Sequence, residues 1–77
     1  MNDPAVELRR TASDYQAALE KMAQIQEGLA SELASLADEL DRQGQPETAD
    51  MLLQASHYHR ASSIRSRAVA AVLDTAD

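Results

Sequence analysis

Arg42-Gln43-Gly44-Gln45-Pro46-Glu47 is the stretch whose reading decides the fold. Glycine just past one helix and proline at the first position of the next is the expected asymmetry of helix ends. Glu47 and Asp50 then fall in the first turn of the second element, where the helix dipole favours acids. Residues 43–45 leave room only for a sharp reversal, so the flanking helices are antiparallel neighbours.

Upstream, Asp3-Pro4 offers a capping carboxylate followed by a residue pre-set for the first helical position. From there a seven-residue pattern runs to the turn. Leu8, Tyr15, Met22, Leu29 and Leu36 occupy d positions; Ala12, Leu19, Gln26, Leu33 and Leu40 occupy a positions. Only Gln26 among these ten is polar, so the spacing predicts one helix over about 4–42 with this seam packed. Gly28 sits off the seam and leaves its phase unchanged, so it is read as a tolerated glycine rather than a break. Ala23, Ala30 and Ala37 at e and Ile25 at g widen the stripe. A widened stripe suits a bundle with two contact directions better than a strict two-stranded coil.

Downstream, the second helix is expected over about 46–75. Its main apolar face is Met51, Leu52, Ala55, Tyr58, Val69 and Leu73, interrupted by His59, Ser62 and Ser66. Equal rise on both sides of the turn puts Leu36 opposite the Leu52 region, Leu29 opposite the His59 region and Gln26 opposite Ser62. Gln26, His59, Ser62 and Ser66 are therefore expected to form a polar layer that sets register across the hairpin.

Composition agrees with two helices and no strand. The chain of 77 residues has no Phe, Trp or Cys, only two Gly and two Pro, and is rich in good helix formers. The length makes a single domain, 1–77, and one this short usually needs a further source of stability. Disulfides are excluded by the lack of cysteine, so a metal or a partner chain remains as the usual source. The longest wholly apolar run, Ala68 to Leu73, is far short of a bilayer span, and no charged segment followed by an apolar one opens the chain. A cytoplasmic location and no membrane partner are the corresponding expectations.

Candidate chemistry is sparse. His57 and His59 are two apart and diverge on a helix, whereas a helical metal pair needs a spacing of three or four. Ser62, Ser63 and Ser66 near His59 lack the surroundings of an activated nucleophile. No glycine-rich phosphate loop occurs. No catalytic residue, cofactor or metal is assigned. Leu53, His57, Arg60, Ile64, Arg67 and Ala71 recur at three- and four-residue steps on the back of the second helix and form an acid-free ridge, a candidate partner-binding face. A net charge of −6 and the lack of aromatic stacking residues among the bases weigh against nucleic acid.

In outline the hairpin resembles the ROP-type proteins, which dimerise into four helices, and small hairpin secretion co-chaperones. No motif carries a residue over from either, and fold likeness alone does not give function. Ile25, Leu53, Ile64 and Val72 lie beyond a single helix–helix interface, and a two-fold dimer forming a four-helix bundle would bury them. The expected function is that of a non-enzymatic protein–protein interaction module acting through helix packing: a small adaptor, a chaperone-like subunit or an oligomerisation unit. Its partner is a second copy or another helical protein. The alternatives are a small dimeric nucleic-acid-binding regulator using the basic ridge, and a subunit completing a larger partner's bundle.

Overall fold

The computed structural model describes residues 3–74. It is an all-α hairpin of two helices, α1 (Pro4–Arg42) and α2 (Pro46–Asp74), packed against each other along their length. The Asp3 carboxylate accepts from the Ala5 amide at 3.0 Å and caps α1, with Pro4 in the first turn. The expected end of α2, at residue 75, lies one residue outside the described ones. α1 is longer by ten residues (39 against 29), and its residues 4–11 are all exposed.

Gly28 does not break α1. The reversal is made by Gly44 at φ 80, the left-handed region in which a side chain is strained. The Gly44 amide donates to Asp41 O at 3.1 Å and the Gln45 amide to Leu40 O at 2.9 Å. This pair of wrap-back bonds satisfies carbonyls that the end of α1 would otherwise leave open. It also draws Gln45 back to the level of Leu40, so α2 starts alongside the last turn of α1 rather than beyond it.

The register shifts accordingly. Gln26, not Leu29, lies opposite His59, a difference of about three residues from the expected pairing. The expectation treated the turn as symmetric; the wrap-back bonds spend turn residues on the α2 side.

The packed seam also differs from the expected one. The buried residues are Ala23, Ala30 and Ala37 on α1 and Ala49, Ser56, Ser63 and Ala70 on α2, each row repeating every seven residues. The a positions Leu19, Gln26, Leu33 and Leu40 are half-buried beside this row, whereas the d positions Leu8, Tyr15, Met22, Leu29 and Leu36 are 41–71% exposed. On α2, Leu52, Ala55 and Leu73 are half-buried, but Met51, Tyr58 and Val69 are exposed. The interface is thus centred on the small e row, not between a and d. Two rows of one-carbon side chains let the backbones approach. The 2.7 Å bond from Ser56 Oγ to the carbonyl of Ala30 requires such an approach, because a serine hydroxyl reaches only one atom past Cβ. Ser63 Oγ satisfies itself on Arg60 O at 2.8 Å.

Three substitutions test this packing through stability. A methyl added at Gly28 meets nothing within 4 Å, so Gly28→Ala is expected to stabilise the hairpin by about 1 kcal/mol, while Gly44→Ala is expected to destabilise it by about 1–2 kcal/mol; urea denaturation reads both. Ala30→Leu, at a position with no exposed surface, is expected to cost about 1–3 kcal/mol in the same assay despite raising the helix's hydrophobicity.

Candidate interaction surface

Successive helical residues are about 100° apart, so Gln26 and Glu27 fall on opposite sides of the buried row of α1. Each is tied to α2. Gln26 Oε1 lies 3.2 Å from His59 Nδ1. Glu27 holds Arg67 through two bonds, Nε to Oε2 at 2.6 Å and a terminal guanidinium nitrogen to Oε1 at 2.8 Å. These links mark the two broad sides of the hairpin, and the sides differ in chemistry.

On the Gln26 side run the a and d rows of α1. Neither row contains a charged residue; Ile25, Glu32 and Glu39 follow at the outer edge of α1, where Met51, Tyr58 and Arg65 stand on α2. Beside the a and d rows, on α2, lie half-buried Leu52, Ala55, Ser62, Ser66 and Leu73, then exposed Met51, Tyr58 and Val69. His59 and Arg65 are the basic side chains in these α2 rows, which hold no acid. The Tyr58 and His59 rings meet edge to face with centroids 5.6 Å apart. Of the expected polar layer, Gln26 and His59 are brought together, and Ser62 and Ser66 share their side, half-buried. Residues that sequence reasoning missed are the buried Ser56 and Ser63. Their signal was the spacing 49, 56, 63, 70, in which every side chain is a methyl or a hydroxymethyl.

On the Glu27 side lie Glu20, Asp38 and Asp41 of α1 and Asp50 of α2. The six residues of the expected ridge, Leu53, His57, Arg60, Ile64, Arg67 and Ala71, are all here and all exposed. The structure joins the ridge to its own α1 at Arg67. The guanidinium holds the Glu27 carboxyl below the usual carboxylate range, and Glu27 in turn raises the pKa of Arg67. Near the turn, this side carries a shallow groove of about 320 Å³ lined by Ala34, Asp38, Asp41, Asp50 and Leu53 among others. Two of its three carboxylates are engaged locally: Asp38 with Arg42 at 2.9 Å, and Asp50 with the Gln54 amide at 3.2 Å.

Among the described residues no group of three or more His, Cys, Asp or Glu is placed to hold a metal ion, and no helix is long and apolar enough to cross a membrane. Comparison with known proteins gives no match: no family model, no curated protein and no solved structure is similar to the chain.

The Glu27–Arg67 link sets a pH dependence. Because the folded state lowers the Glu27 pKa, its contribution is present above the unfolded value of 4.5 and is lost as pH falls through the lowered value. At neutral pH, Glu27→Gln is therefore expected to be less stable than the natural chain in urea melts. The gap should close as the pH is taken below 4.5; a gap that stays constant with pH would exclude this assignment.

Proposed function

We propose that the chain is a non-enzymatic protein–protein interaction module that acts through helix packing, with the Gln26 side as its docking surface. One observation carries this reading: the row Leu8, Tyr15, Met22, Leu29 and Leu36 repeats every seven residues and is exposed along most of α1. Large apolar side chains scattered singly over a surface need no explanation, but a contiguous apolar stripe marks a binding site. A straight row at heptad spacing has the form that a partner helix packs against.

The electrostatics support the same side. Charge is concentrated on the Glu27 side and the outer edges, so a partner on the Gln26 side displaces water from apolar atoms without stripping it from carboxylates. The one polar pair it would cover, Gln26 with His59, already bonds internally. That pair gives the surface a fixed point at mid-length and favours one register over a slip by a heptad.

Photo-crosslinking in the native host tests the reading. A photoreactive residue at Met22 or Leu29 is expected to give discrete protein adducts. The same probe at Gln24 or Ser31, exposed on the Glu27 side, is expected to give few. Equal yields from the two sides would overturn the assignment.

A further inference from the structure

We infer that the occupant of the Gln26 side is a second copy of this chain, seated with its turn at the same end, so that α1 of each copy lies over α2 of the other in a four-helix bundle. This inference rests on the reading of that side as the docking surface and names its partner.

The size of the face is adequate. α2 runs beside α1 for about 44 Å of the hairpin's 65 Å, so where both helices lie side by side the broad side, 16 Å across, has a planar footprint of about 700 Å², and its corrugated accessible surface is larger. A stable interface needs about 800 Å² from each partner. An internal core of alanine and serine leaves the chain dependent on further burial. A buried alanine takes one methyl out of water, whereas a buried leucine or methionine takes out a side chain several times larger.

The face is also complementary to itself. A two-fold interface requires one patch to match its own image. The Ser56–Ala30 bond fixes the levels of the two helices, putting Leu36 level with Met51 and Leu29 level with Tyr58. A two-fold axis along the hairpin preserves those levels. Leu36 then meets Met51 of the second copy and Leu29 meets its Tyr58, all four being exposed in the single hairpin.

Charge selects the orientation. α1 has eight acids against four bases, whereas α2 has three acids against three arginines. With turns at opposite ends, α1 would lie on α1 and set two acidic helices together. With turns at the same end, each acidic helix lies on a neutral one.

Sedimentation equilibrium of the full chain at micromolar concentration is expected to give a dimer mass. Leu29→Glu, which changes an exposed residue of the hairpin and enters a two-fold interface twice, is expected to weaken dimerisation by at least ~100-fold. Ile64→Glu, on the Glu27 side, is expected to leave the mass unchanged. A folded monomer for the natural chain overturns the inference, as does a dimer broken by Ile64→Glu and not by Leu29→Glu. If circular dichroism shows that Leu29→Glu is unfolded, cysteine crosslinking decides, since the chain has no cysteine of its own. An equimolar mixture of Leu36→Cys and Met51→Cys chains is expected to form the mixed disulfide, and neither chain alone a disulfide dimer. Efficient self-crosslinking of Met22→Cys, at the centre of its row, would instead put the turns at opposite ends and overturn the orientation. A natural chain that is monomeric alone, yet crosslinks through Met22 to a different protein in the host, would refute self-pairing while leaving the docking surface intact.

Discussion

At mid-length the Ser56 hydroxyl of α2 bonds the backbone carbonyl of Ala30 on α1, and the rest of the hairpin is arranged around that approach. The carbonyl oxygen has two lone pairs, so it can accept from serine while keeping its helical bond. The contact exists only where neither helix places a side chain larger than a methyl or hydroxymethyl between the backbones. Ala23, Ala30 and Ala37 provide this on one side, and Ala49, Ser56, Ser63 and Ala70 on the other. Once the axes are this close, leucines and methionines have no room at the centre. They stand beside the row, half-buried at a positions, or leave the interface altogether at d positions.

This trade explains what was legible in the sequence and what was not. The turn, the two helices and the continuity of α1 through Gly28 follow from residue types and spacing, because caps, glycine and heptad phase act locally. The choice of buried row does not. Leu8, Tyr15, Met22, Leu29 and Leu36 form the strongest hydrophobic repeat of α1, and periodicity assigns them to the seam. Burial of those side chains competes with close backbone packing, and a matching row of small residues on α2 decides the contest. That match is a property of two segments read together; α1 alone shows only alanine flanks. Gln26 and His59 were legible as a polar level because each interrupts an apolar row. Their pairing with each other, and not with Ser62, depended on the wrap-back bonds of Gly44 and Gln45.

The same turn geometry places the ionic link. With the helices held at this register, Glu27 and Arg67 are about eight residues off level, but a long arginine on the adjoining row reaches back to the carboxylate. Both side chains remain 42–48% exposed, so the pair contributes little beyond orientation. It nevertheless uses Arg67, the base of the ridge farthest from the turn. A surface that is basic in sequence is thereby partly neutralised by the helix beside it, and a nucleic-acid contact there would lose one of its two arginines.

The division into a charged side and an almost charge-free side is therefore a consequence of using alanine as the internal glue. In a hairpin packed through its leucines, the apolar residues would be consumed inside, and the surface would be polar all round. Packing through alanine and serine uses little apolar area and releases a complete heptad row to the outside. Such a row is costly for a chain that remains single, since exposed contiguous apolar surface promotes indiscriminate association. The Gln26–His59 pair bears on that hazard. It lies at mid-length on the apolar side, makes a bond within the hairpin, and penalises any docking register that covers it with groups forcing that bond to break. A largely apolar face with an internally bonded polar pair at its middle is suited to one partner in one alignment.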